Sequence, residues 1–171
     1  MRDWTKIAYN MRDNSELMQK FRAAALKFIE VVDAAPQIEA NTFLANVGRC
    51  MAELYTIALS LPAVEPHTTG ADETPFQADK GDTLRRSLQE KIGSRDTYWQ
   101  VFDSSCKEEP VQGSLAGDIS EIYFDLKCSL ELEQTGVARS DVLFDWRLDF
   151  RSHWGRHLLG ALAAIHHQYV E

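Results

Sequence analysis

The sequence predicts an all-α, single-domain bundle of about five helices with a long acidic loop after the second. Three observations carry this. Apolar residues recur at steps of three and four through several long stretches, and those stretches are bounded by capping residues, prolines or glycines. The chain has 171 residues, 44% of them hydrophobic and 10% aromatic. That is one domain's worth, able to hide roughly 70% of its unfolded surface in one core.

The first helix is expected from Leu17 to Val32, where Leu17, Phe21, Ala24, Ala25, Phe28 and Val32 form one stripe. Asp13 and Glu16 have the spacing of a capping box at its start, and Pro36 lies just past its end. Ahead of it, Trp4, Ile7, Ala8 and Met11 suit a short amphipathic turn docked on the bundle. The second helix is expected from about Thr42 to Leu61, with Phe43, Val47, Met51, Leu54, Ala58 and Leu61 on one face, Asn41 as cap and Pro62 as stop. Gly48 lies in that apolar arc, where another backbone can come close.

From Pro62 to Asp82 periodicity disappears. Pro62, Pro66, Gly70, Pro75 and Gly81 mix with Glu65, Asp72, Glu73 and Asp79, the composition of an acidic loop within the one domain. A short helix follows from Thr83 to Ile92, stopped at Gly93. Tyr98, Trp99, Val101 and Phe102 form a compact aromatic cluster, read as one helical turn, before the break at Glu108, Glu109 and Pro110.

Ser114 caps a fourth helix to about Glu133, with Leu115, Ile119, Ile122, Tyr123, Leu126 and Leu130 as its core stripe. Beside that stripe Asp118, Glu121 and Asp125 stack along one edge. The last helix is expected to run unbroken from Ser140 to His167, since no proline interrupts it. Its core rows hold Val142, Leu143, Trp146, Phe150, Trp154, Leu158, Ala161 and Ile165, and also Arg147, Arg151, His153 and His157. Asp145, Asp149, Ser152 and Arg156 take the opposite, wet side.

Charge narrows the function. Against 18 basic residues stand 26 acidic ones, a net −8 that repels phosphate backbones. The densest basic stretch, Arg85, Arg86, Lys91 and Arg95, is diluted by Asp82, Glu90 and Asp96, so nucleic acid is not expected as a partner. No run approaches the roughly 18 apolar residues of a spanning helix, and the opening residues lack the apolar core of a secretory signal. Three cysteines, Cys50, Cys106 and Cys128, have neither a paired count nor C-x-x-C spacing, which points to thiols in a reducing, cytoplasmic compartment.

One constellation bears on chemistry. Buried arginine and histidine need partners, and the acidic row of the fourth helix supplies them. The expectation is that Asp118 and Asp125 face Arg147 and Arg151, with His153 or His157 bonded to a carboxylate or to Tyr123. Three readings fit. The first is a structural network fixing helix register. The second is a metal site on His153 and His157, completed by Asp118, Glu121 or Asp125. The third is an anion pocket using Arg147, Arg151 and a histidine. The metal reading lacks the Glu-x-x-His and His-Glu-x-x-His patterns, and no Gly-rich phosphate loop or G-x-S-x-G elbow is present.

The stretch Ser114 to Lys127, Ser-Leu-Ala-Gly-Asp-Ile-Ser-Glu-Ile-Tyr-Phe-Asp-Leu-Lys, together with Trp146-Arg147 and His153-Trp154-Gly155-Arg156-His157, resembles a bacterial family, the domain of unknown function numbered five-zero-six-three. Looser matches reach back through Tyr98 to Asp103, Glu109-Pro110-Val111 and the Leu54 to Pro62 end of the second helix, so most of the chain is covered. Gly117 departs from a family pattern that is often acidic there. The resemblance implies a helical protein of similar length and carries over no activity, substrate or partner.

The expected function is thus a small cytoplasmic binding or adaptor protein with an unidentified protein partner and no cofactor. Its alternative is a metal-dependent enzyme or anionic-ligand binder with a pocket around His153 and His157, a divalent metal being the cofactor in the first case.

Overall fold

The structure, a computed structural model, describes residues 4–67, 78–101 and 105–169. Among them six helices and a small antiparallel ribbon follow in the order α1 (Trp4–Asp33), α2 (Ala40–Ala58), α3 (Ala78–Ile92), β1 (Thr97–Gln100), β2 (Val111–Ser114), α4 (Leu115–Gln134), α5 (Arg139–Ser152) and α6 (Trp154–Tyr169). The fold is mostly α and single-domain. Helices α1, α2, α4, α5 and α6 share one core, and α3 packs on α4.

The periodic stripes are the buried faces. Phe21, Phe28, Phe43, Leu54, Ile119, Ile122, Trp146 and Trp154 are all inaccessible to solvent. Phe21 stacks on Trp146 with ring centroids 4.4 Å apart, and Trp146 Nε1 donates to the Ser129 carbonyl at 3.0 Å, so a large apolar ring keeps its one polar atom satisfied. Gly48 lies where α2 meets α6. A Cβ there would stand 3.3 Å from Ile165 Cγ2, tighter than ordinary contact.

Several expectations need correction. Helix α1 starts at Trp4, not near Leu17, because no Pro or Gly separates the first turn from the rest and helix propagation continues wherever nothing stops it. Helix α2 is capped by Glu39 rather than Asn41: the Glu39 carboxylate accepts from the backbone N–H groups of Asn41 and Thr42 at 2.8 and 3.1 Å. These bonds hold Glu39 below the usual carboxylate range. Of the expected loop at 62–82, residues 62–67 have no helix or strand, 68–77 lie outside the described residues, and 78–82 already belong to α3.

Tyr98 and Trp99 of the aromatic cluster lie in a strand, not a helical turn; Val101 follows it, and Phe102 lies outside the described residues. Thr97, Tyr98, Trp99 and Gln100 pair antiparallel with Ser114, Gly113, Gln112 and Val111, which brings the ribbon back to the start of α4. Four residues are too few for a period of two to be distinguished from a single helical turn.

The last helix is two helices, α5 and α6, making six helices where about five were expected. His153 separates them with φ −133° and ψ −90°. Its N–H still bonds the Asp149 carbonyl at 2.9 Å, while its own carbonyl accepts the Arg156 N–H at 3.1 Å and so opens α6. The turn is tight at Gly155, where a Cβ would lie 2.2 Å from the Phe150 carbonyl oxygen. Only glycine fits there.

Candidate functional site

The site is assembled at the N-terminal end of α4. Ser114 Oγ accepts the Gly117 N–H at 3.0 Å, the predicted cap. Asp96, buried just before β1, accepts the Ala116 N–H at 2.7 Å, the Ser114 hydroxyl at 3.0 Å and the Gln89 amide at 3.3 Å. A carboxylate at a helix N-terminus satisfies N–H groups that lack partners and lies at the positive end of the helix dipole. Asp96 thereby ties α3, the ribbon and α4 together.

Inside that frame Asp118, only 6% exposed in the first turn of α4, receives two bonds. The Tyr98 hydroxyl donates to Oδ2 at 2.6 Å, and His157 Nδ1 lies 2.8 Å from Oδ1. Two glycines make room for Tyr98. A Cβ on Gly113 would stand 2.6 Å from Tyr98 Cζ, and one on Gly160 would stand 2.6 Å from its hydroxyl. Asp118 raises the pKa of His157, favouring imidazolium against the opposing effect of burial. Burial first, then Asp118, pushes Tyr98 above the usual phenol range, so it stays a donor.

A second pair repeats the first two turns along α4. His153 Nδ1 lies 2.6 Å from Asp125 Oδ2, and the His153 and His157 rings meet edge to face with centroids 5.0 Å apart. Carboxylates crowd this pair. Burial raises the pKa of Asp125 despite His153, burial and then Asp125 raise Asp145, and burial followed by Asp145 and Asp125 pushes Asp149 up to about 6. Asp145 and Asp149 are thus half-buried rather than wet.

Of the predicted residues, Asp118, Asp125, His153 and His157 come together. Glu121, half-buried, adds to the field that favours the His157 proton without a hydrogen bond to it. The arginines do not join them: Arg147 Nε donates to the Leu61 carbonyl at 3.2 Å and Arg151 is exposed. At 100° per residue the two arginines stand about 80° to 160° around the axis from the two histidines, so the side of the helix that meets the acids of α4 carries the histidines and not the arginines. Tyr123 bonds Asp33 at 2.8 Å instead of a histidine.

A groove of about 750 Å³ runs beside this network, between β1 and α6. Tyr98, Trp99, Gln100 and Val101 form one wall; Arg156, His157, Leu159, Gly160, Ala163 and His167 lie along the other. Among the described residues no Asp or Glu lines it, and the basic side chains of the lining are Arg156, His157 and His167. Trp99 is 69% exposed there, Leu159 46%. Sequence reasoning missed Asp96, Tyr98, Trp99 and His167. The aromatic cluster at 98–102 was the one signal, and its use depends on a strand pairing that four residues do not announce.

Of the predicted site residues, His153 and His157 are those able to offer imidazole nitrogen to a metal. Among the described residues no group of three or more His, Cys, Asp or Glu side chains is arranged to hold one. No described helix is long and apolar enough to cross a membrane.

The architecture is that of a helical bundle with a strand-walled groove at one end. The chain belongs to the family described as Domain of unknown function (DUF5063), whose model matches residues 12–171. It is similar to the solved structure of protein BF1032 from Bacteroides fragilis, with 22% identity and a TM-score of 0.74 over 88% of this chain and 90% of that one, a likeness of fold alone. No curated protein matches the sequence.

Proposed function

We propose that this is a cytoplasmic binding protein whose ligand is anionic and lies in the groove between β1 and α6. One observation carries the reading: in a chain of net charge −8, the titratable side chains that line the groove among the described residues, the Tyr98 phenol aside, are all basic. His157 suits the role because Asp118 commits its Nδ1 and favours its charged form, leaving Nε2 as the ring's second donor. The Asp118 network is also structural, joining α4, β1 and α6. The cytoplasmic location rests on an odd number of cysteines without C-x-x-C spacing. A protein partner presenting acidic residues would use the same groove.

The test is an NMR titration with inorganic phosphate and with glutarate at pH 6. Saturable shifts of His157 and Arg156, weakened about tenfold by His157→Gln, are expected. Shifts that are absent, or equal with a neutral diamide, would refute an anion site.

The paired imidazoles favour a second reading, a divalent metal shared by His153 and His157. Metal-bound histidines characteristically donate their other ring N–H to a carboxylate, as both do here to Asp125 and Asp118. Stoichiometric zinc, manganese or iron in the purified protein, lost on His157→Ala, is the outcome this reading requires.

A further inference from the structure

We infer that the anionic ligand is an extended acidic peptide, which pairs with the outer edge of β1 as a third strand. The inference rests on the anion-binding reading and adds the class of ligand.

The groove follows a strand edge. Four consecutive residues, Tyr98 to Val101, line it. Successive strand residues point to opposite faces, so what four in a row share is the edge between those faces. Nothing from β2 lines the groove, which therefore lies along the side of β1 away from its partner. Among the described residues the sheet has only these two strands. A strand edge offers a row of N–H and C=O groups that an extended chain can pair with.

The basic groups are too far apart for one small anion. Arg156 and His157 stand near one end of the groove's helical wall and His167 near the other. At 1.5 Å per residue, ten or eleven helical residues separate them by about 15 to 16 Å. A lone phosphate or carboxylate reaches one group or the other. In an extended peptide, residues i and i+4 lie about 13 Å apart on the same face, within about 2 Å of the rise from His157 to His167, a difference that flexible acidic side chains of the peptide cover. Between them, residue i+2 would face Ala163, whose small side chain is exposed, since Gly160 is already covered by Tyr98 and Gln100. Exposed Trp99 and Leu159 extend that apolar surface.

The ligand so defined is a five-residue segment with acids at its first and last positions and an apolar residue at its centre. The probe is the blocked peptide Glu-Thr-Val-Thr-Glu, titrated calorimetrically at pH 6, where histidine imidazolium is well populated. Three peptides serve as controls: Lys-Thr-Val-Thr-Lys, Glu-Glu-Val-Thr-Thr, and the parent with alternate backbone nitrogens methylated in either of the two phases. The parent should bind at least about tenfold tighter than the lysine peptide and about threefold tighter than the adjacent-acid peptide. Methylation should abolish binding in one phase only, because a paired strand turns alternate N–H groups toward its neighbour. Arg156→Glu and His167→Glu, both on exposed side chains, should each weaken the parent about fivefold with the helical circular dichroism unchanged. If acidic peptides bind regardless of spacing and methylation, or no better than glutarate, strand pairing is wrong and the small-anion reading stands. If neither peptide nor inorganic phosphate binds, both fall.

Discussion

The two aspartate–histidine pairs are built from the same parts and do different things. Each takes its carboxylate from one row of α4, Asp118 or Asp125, and each bonds histidine Nδ1, at 2.8 and 2.6 Å. Their surroundings differ. Asp118 also receives Tyr98, so its pair anchors the ribbon and fixes an imidazole at the groove. The Asp125–His153 pair opens to solvent, with a histidine side chain 46% exposed against 29% for His157, and faces Asp145 and Asp149. A pair's chemistry is thus set less by its two residues than by the third group each carboxylate meets. In one case that group is a hydroxyl donor; in the other it is a second acid.

Substitutions can break that comparison, beginning with the feature that sets both histidines. Gly155→Ala forces a methyl group against the Phe150 carbonyl and should cost about 3 kcal/mol or more in urea unfolding, with loss of the Asp125–His153 bond by NMR. A neutral result would mean that the break at His153 does not depend on close approach at Gly155.

Next come the carboxylates themselves. Asp118→Ala leaves the half-buried Tyr98 hydroxyl and His157 without their acceptor and should cost about 2 to 3 kcal/mol. Asp125→Ala, at a more open pair, should cost less than about 1 kcal/mol. Equal costs would erase the distinction between anchor and surface pair.

The pairs also differ in pH dependence, with opposite signs. His157 has a raised folded pKa, so its stabilisation is complete below the ordinary histidine value near 6.5 and is lost as pH rises through the raised one. His157→Gln should flatten that part of the stability profile. Asp149 behaves the other way. Burial and neighbouring acids push it up to about 6, so its ionised form opposes folding above that value, and the opposition is relieved as pH falls from 6 toward 4. Asp149→Asn should therefore stabilise the protein at pH 7.5 by about 1 kcal/mol after allowance for solvent screening, and by less at pH 5. Chemical denaturation at both pH values decides each case.

Much of the bundle was legible in the amino-acid order because a helix turns at 100° per residue. Residues sharing a face can then be listed before any partner is known. Phe21, Phe43, Ile119, Trp146 and Trp154 fall on such faces, and they are inward. The Ser114 cap and the row of Asp118, Glu121 and Asp125 follow equally from local geometry. The arginines show where this stops. At 100° per residue Arg147 and Arg151 flank the buried arc on the side away from His153 and His157, and which flank meets the acidic row of α4 depends on how the helices pack.

The sequence by itself determined the helical class, the buried stripes, the cap of α4 and the acidic row, since each depends on residues within a few turns of one another. Tertiary structure alone decided that Tyr98 reaches Asp118, that the histidines rather than the arginines meet the acids, and that β1 and α6 enclose a groove lined by basic groups. Those outcomes depend on the relative placement of segments 20 to 70 residues apart. Close approach at Gly113, Gly155 and Gly160 controls that placement, and a glycine in a sequence does not say what will be pressed against it.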